Sequence, residues 1–268
     1  MGNINKKFEY LKEKGKAALI TYITAGDPNL ETTKEIIKIL EKNGADIIEL
    51  GMPFSDPMAD GPTIQLASER ALKNKITIKD LLDIVKDIRI ESYIPIILFG
   101  YYNPFLSYGL ENFSKDASQA GVDGVLVVDL PPEESGEFKK HTENAGLDLV
   151  FLLAPTSTEE RIELVAENAS GFVYLVSVTG VTGARPGMKV DLEQLTNTIK
   201  SETKLPVGIG FGISSPDQVK DIVKYADGVI VGSSIVKIIE KNSNRPIHLL
   251  KNLGDFVHSL SEACYTGN

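Results

Sequence analysis

Ala17-Ala18-Leu19-Ile20-Thr21-Tyr22-Ile23-Thr24-Ala25-Gly26-Asp27-Pro28 reads as a buried strand closed by a Gly/Pro turn. Its ending separates two parallel α/β architectures. A dinucleotide-binding sheet carries G-x-G-x-x-G after its first strand, and Thr24-Ala25-Gly26-Asp27-Pro28 contains no such run. Seven more apolar strands follow, over 46–50, 94–99, 122–128, 149–153, 172–176, 207–209 and 228–231, each succeeded by a helical pattern. Eight βα units at a period of about 30 residues, with no linker or shift of composition between them, favour a closed (β/α)₈ TIM barrel over an open sheet. One α/β barrel domain over residues 1–268 is therefore expected. Ile4, Phe8 and Leu11 add a helix ahead of the first strand, and residues 233–240 form a short helix after the eighth. Thr32 or Thr33 is the expected cap of the helix after strand one. Gly100-Tyr101-Tyr102-Asn103-Pro104 reads as the loop that ends strand three.

Composition narrows the function classes. The 268 residues are 42% apolar and 24% charged, the balance of a folded soluble protein. Net charge is −9 and no basic run occurs, which argues against nucleic acid as a partner. The single cysteine, Cys264, has no partner for a disulfide, and no Cys/His cluster has metal-ligand spacing, so no metal is expected. The charged N-terminus lacks the apolar core of a signal peptide, and Lys6 stands where a myristoylation motif wants Ser or Thr. No apolar run approaches the roughly 18 residues of a membrane span. A cytoplasmic chain is the expectation.

In a TIM barrel the chemistry lies where the carboxyl ends of the strands meet their loops. The unusual residues gather there. Glu49 sits inside the apolar strand Asp46-Ile47-Ile48-Glu49-Leu50, and period-2 alternation puts it on the face of Ile47. A carboxyl group there is costly unless paired or protonated. It reads either as an acid–base group with a raised pKa or as a rim carboxylate tied to a neighbouring donor. Asp60, in Met58-Ala59-Asp60-Gly61-Pro62, reads either as chemistry or as a turn or N-cap residue, and Asp56 shares that second reading. Met52, Pro53, Phe54 and Met58 make the same loop apolar, as cover for a pocket or as a docking surface. Gly208-Ile209-Gly210-Phe211-Gly212 after strand seven and Gly232-Ser233-Ser234 after strand eight offer backbone N–H groups and a helix amino end to a phosphate. Tight turns are the plainer reading of both. Thr179 to Gly187, with three glycines, Arg185 and Pro186, reads as a closing lid or as a surface loop. His141, His248 and His258 fall on helices away from strand ends and are not read as bases.

Ile48-Glu49-Leu50-Gly51, the run Pro53 to Gln65 (PFSDPMADGPTIQ), Gly180-Val181-Thr182-Gly183, Gly210 to Pro216 and Gly232-Ser233 together closely resemble the tryptophan synthase alpha chain family. The likeness extends over residues 17–240. It implies a cofactor-free retro-aldol lyase of tryptophan biosynthesis, cleaving indole-3-glycerol phosphate to indole and glyceraldehyde 3-phosphate. It also implies work alongside a pyridoxal-phosphate beta chain, usually as α₂β₂. On that resemblance Glu49 is the proton shuttle and Asp60 meets the indole N–H. Gly183, Phe211, Gly212, Gly232 and Ser233 hold the phosphate, and Asp129 and Thr182 take part in closure. Pro53, Asp56 and Pro57 face the beta chain. Tyr174 lines the site, and Tyr22, Ile64, Leu98, Tyr101 and Phe211 are the expected walls of an indole pocket. Two positions depart from the family: Tyr22, where Phe is frequent, and Val178, where some members carry a basic residue. Other phosphate-gripping barrels, such as indole-glycerol-phosphate synthase or thiamine-phosphate synthase, and a silent barrel that only activates a partner are the competing readings. The first of these wants a lysine on a strand, and here the nearest, Lys16, lies just ahead of strand one.

Overall fold

The computed structural model describes residues 2–177, 191–210 and 212–266. Eight parallel strands close into a barrel in chain order, each paired with its sequence neighbours and the last with the first. Helix α1 (Asn3–Glu13) precedes β1 (Ala18–Thr24), α2 (Leu30–Lys42) and β2 (Ile47–Gly51). Two helices, α3 (Pro62–Leu72) and α4 (Ile78–Ile88), lead to β3 (Ile96–Gly100). Then come α5 (Tyr102–Tyr108), α6 (Leu110–Ala120), β4 (Gly124–Val127), a 3₁₀ turn (Pro132–Glu134), α7 (Gly136–Ala145) and β5 (Asp148–Leu153). The remaining elements are α8 (Glu159–Asn168), β6 (Val173–Val176), α9 (Leu192–Glu202), β7 (Val207–Gly210), α10 (Pro216–Ile222), β8 (Gly228–Val231), α11 (Ser233–Asn242) and α12 (Pro246–Ala263).

Two local expectations are corrected. The residues after β3 do not stay a loop: α5 starts at Tyr102, whose backbone N–H donates to Asp129 Oδ1 at 2.7 Å. Pro104 falls in that first turn, where a missing N–H costs nothing. Neither Thr32 nor Thr33 caps α2. Asn29 does, its Oδ1 accepting from Thr32 N–H at 2.8 Å. Thr33 Oγ1 accepts instead from Gly26 N–H at 3.0 Å and ties down the loop leaving β1.

Strand alternation sorts the core into two layers. Leu19, Ile48, Leu50, Ile96 and Val125 pack outward under the helices, whereas Ala18, Ile20, Ile47, Ile97, Leu126 and Val150 fill the barrel. The filling works by setting large side chains against glycine. A Cβ added at Gly51 would overlap the Tyr22 hydroxyl and ring, and one at Gly210 would overlap the Tyr174 hydroxyl. At the amino end of the strands Ile4, Phe8 and Leu11 of α1 join the same interior cluster, with the Phe8 and Phe172 rings 5.7 Å apart. Asn3 anchors that helix, its Nδ2 donating to Asp123 Oδ1 at 2.7 Å, while Arg89 Nη2 holds the other oxygen of Asp123 at 2.7 Å. Among the described residues no helix is long and apolar enough to cross a membrane.

Size complementarity at Gly51 is testable. Gly51→Ala forces the Tyr22 ring off its seat, so urea unfolding is expected to give a loss of roughly 1–3 kcal/mol. Adding Tyr22→Ala to that chain should make the methyl group harmless, leaving only the cost of the missing ring.

Candidate active site

β2 turns Glu49 into the barrel, as alternation requires, with Tyr22 and Ile97 beside it in register. The residue is 1% exposed, and its Oε1 has no hydrogen-bond partner among the described residues. Burial alone therefore acts on it and pushes the carboxyl up to about 8. Among the described residues no donor ties Oε1 of this group to the rim. It is a neutral acid at pH 7 that a small change of surroundings can ionise.

Beyond Gly51 the chain folds back over the mouth. Met52 N–H donates to the Phe99 carbonyl at 2.7 Å, and Gln65 Nε2 donates to the Asp60 carbonyl at 2.8 Å. Asp60 does not cap the following helix, because Gly61 occupies the N-cap position of α3 and no side chain caps it. Instead the Tyr101 hydroxyl donates to Asp60 Oδ2 at 3.1 Å and accepts from Ala59 N–H at 3.0 Å. The Tyr101 ring stacks on Phe54 at 4.9 Å. Burial raises the Asp60 carboxyl to about 6, and the Tyr101 hydrogen bond works against that rise. The two carboxyl groups share one environment. Tyr22 and Tyr174 are raised first by burial, and the charges of both Glu49 and Asp60 add to it.

The apolar wall is built by Tyr22, Ile64, Ala67 and Val236, with Phe99 packed against them and edge-on to Tyr22 at 5.1 Å. Leu98 is not part of it. It pairs with Leu50 and Val125 in the outer layer, so strand alternation turns it toward the helices and gives its expected place to Phe99. Counting from Ile97 opposite Glu49 would have found Phe99 in the sequence. Tyr174 faces the interior, above Phe172 and against Gly210.

Past β1, on the other flank of Tyr22, loops seven and eight meet. Gly212 has φ +77°, a conformation other residues resist, and Ser234 Oγ donates to the Ile213 carbonyl at 3.0 Å. Helix α11 begins at Ser233 with Gly232 as its N-cap, and its first intrahelical bond runs from Val236 N–H to the Gly232 carbonyl. The N–H groups of Ser233, Ser234 and Ile235 precede that bond, the arrangement that receives anions at helix starts. Gly232 lies against Tyr22, where an added Cβ would come within 3.2 Å of Tyr22 Cβ. Asp129 spends one oxygen on the start of α5. In the outer arc Asp56 and Met58 are exposed, Met58 by 93%; Pro57 is half-buried and Pro53 is buried. Gly183, Thr182, Phe211 and Val178 lie outside the described residues, as does the segment from Thr179 to Gly187. Lys16 is engaged with Asp46 at 2.8 Å. Among the described residues no three His, Cys, Asp or Glu side chains gather to hold a metal ion.

The chain matches the family model described as "Tryptophan synthase alpha chain" over residues 8–264. It is 50% identical over 268 residues to the tryptophan synthase alpha chain of Geobacter sp. (strain M21), covering 100% of both chains. It is 56% identical over 248 residues to that of Geotalea daltonii, covering 92% of this chain and 94% of the relative. The crystal structure of tryptophan synthase subunit alpha from Legionella pneumophila str. Paris superposes with a TM-score of 0.89 at 38% identity, covering 98% of each chain.

The burial of Glu49 carries its own consequence for stability. With a folded-state pKa of about 8 against an unfolded value near 4.5, the unfolded state loses its proton first. The contribution of Glu49 to stability is thus fully present at acid pH and drains away as pH rises through that window. Glu49→Gln removes the drain, so its stability advantage over the parent should grow by roughly 2–4 kcal/mol between about pH 4 and pH 9 in urea titrations.

Proposed function

The chain belongs to the tryptophan synthase alpha chain family, and from that premise we infer that Glu49 is the proton shuttle of its reaction and Asp60 the carboxylate that receives the indole N–H. It is an indole-3-glycerol-phosphate lyase, releasing indole and glyceraldehyde 3-phosphate by a cofactor-free retro-aldol step in tryptophan biosynthesis. The observation that carries the assignment is a carboxyl group buried inside the apolar mouth, its Oε1 without a hydrogen-bond partner among the described residues.

The chemistry needs such a group. An indole anion is a poor leaving group, so C3 must be protonated before its bond to the glycerol carbon breaks. Glu49, neutral at pH 7, delivers that proton and becomes a carboxylate. The positive charge that grows at N1 faces Asp60, which accepts a hydrogen bond from N1–H and stabilises it. Glu49 then removes the proton of the adjacent hydroxyl. The C–O bond becomes a carbonyl, the C3–carbon bond pair returns to the ring, and Glu49 is restored as an acid. Tyr22, Ile64, Phe99, Tyr101 and Tyr174 enclose the bicycle. The phosphate goes to the first turn of α11, with Gly232 and Ser233, and to Gly212, joined on the family pattern by Gly183 and Phe211. That grip supplies binding energy remote from the breaking bond. Closure is assigned on the same pattern to Asp129 and Thr182.

The partner is the tryptophan synthase beta chain, and α₂β₂ is the stoichiometry we assign. Asp56, Pro57 and the exposed Met58 offer it a face next to the catalytic loop, whereas Pro53, expected on that face, is buried.

Glu49→Gln is expected to abolish indole release while a phosphate-bearing ligand still binds; turnover within about tenfold of the parent would remove the role given to Glu49. In kcat/KM the acid limb should follow Asp60 near pH 6 and the alkaline limb Glu49 near pH 8. Tyr101→Phe takes a donor from the Asp60 carboxylate, so the acid limb should move to higher pH, a shift that titration of the substrate phosphate cannot produce. Asp56→Ala should reduce stimulation by the beta chain and leave the partner-free rate intact, as read by indole release with and without that chain.

A further inference from the structure

The loop bearing Asp60 and the anion-receiving turn of α11 are carried by adjacent helices. Ile64 and Ala67 of α3 pack with Val236 of α11, and Arg70 follows one turn later on the same face of α3. Its guanidinium makes three hydrogen bonds. Nε and Nη2 donate to Asp27 Oδ1 and Oδ2 at 2.9 and 2.8 Å, and Nη1 donates to Glu240 Oε1 at 3.0 Å. Asp27 lies in the loop leaving β1 and is 1% exposed; Glu240 is one turn beyond Val236 on α11. Asn74, just past α3, grips the same loop, its Nδ2 donating to the Gly26 and Pro28 carbonyls at 3.1 and 2.8 Å.

An alanine in an apolar seam gives two helices little to stop them sliding along each other. The planar two-pronged fork on buried Asp27 fixes α3 against the loop leaving β1, and the third bond, from Nη1 to Glu240, ties α11 to that same fixed guanidinium. We propose that Arg70 is a positioning residue: its clamp on Asp27 and Glu240 fixes the spacing between Asp60 and the first turn of α11. The proposal rests on the reading of those two groups as the indole and phosphate ends of one substrate. A ligand that spans both ends feels an error in their spacing, whereas either half alone settles in its own subsite.

Removing Arg70 alone would strand the Asp27 charge in the interior, which can unfold a protein. The test therefore uses Arg70→Gln combined with Asp27→Asn, and separately Glu240→Gln, which leaves Asp27 paired. Calorimetric titration compares indole, glycerol 3-phosphate and a non-cleavable analogue whose saturated three-carbon chain joins indole C3 to phosphate. The two halves are expected to bind within about twofold of the parent, while the joined analogue and kcat/KM weaken about tenfold or more in the double variant and less in Glu240→Gln. A folded double variant that binds the joined analogue normally overturns the proposal. So does one that weakens all three ligands in equal proportion, since that makes Arg70 merely structural. If the double variant does not fold, Glu240→Gln decides on the same criteria. A parent chain that fails to bind glycerol 3-phosphate overturns the phosphate reading instead, and is told apart by being seen before any substitution.

Discussion

A carboxyl group held where water cannot solvate it is the constraint on which this mouth depends. Glu49 stays neutral because the barrel around it is full, and the barrel is full because aromatic rings lie over glycines. Tyr22 occupies the space a side chain at Gly51 would need, and Tyr174 does the same at Gly210. Packing and proton chemistry are thus one problem here. A looser interior would admit water, and water would return the acid to its ordinary range and end its usefulness near neutrality.

Asp60 meets the opposite demand. The role proposed for it needs charge at pH 7, and burial works against that. Tyr101 supplies the correction by donating a hydrogen bond that favours the ionised form. Two carboxyl groups in one cleft are thereby driven apart in pKa by what surrounds them: burial without a described donor on Oε1 in one case, a phenol in the other. Tyr101 is itself held by Ala59 N–H and by stacking on Phe54, so the acidic loop supports the residue that tunes it.

Much of this was legible from the chain. The strand–helix rhythm and the first βα turn point to the barrel, and the alternation in β2 puts Glu49 inside it. Glycine clusters in loops seven and eight are visible for the same reason: they break a regular pattern. What escaped depended on contacts between distant segments. Helix α5 is started by Asp129, a residue 27 positions beyond its first member, so no local signal around Tyr102 announces it. Phe99 and Leu98 are both apolar and adjacent, and only the register against β2 tells inside from outside. The alternative reading of Asp60 as a cap was reasonable from Asp-Gly-Pro, and it fails because its side chain is engaged elsewhere.

The helix that precedes the barrel has a consequence for traffic. With Ile4, Phe8 and Leu11 lodged among the interior side chains, the amino end of the strands is stoppered. Among the described residues that leaves the carboxyl end of the strands as the side from which Glu49 is reached. Substrate, both products and any stray water must share it, so whatever rests on the rim acts as gatekeeper for all of them at once.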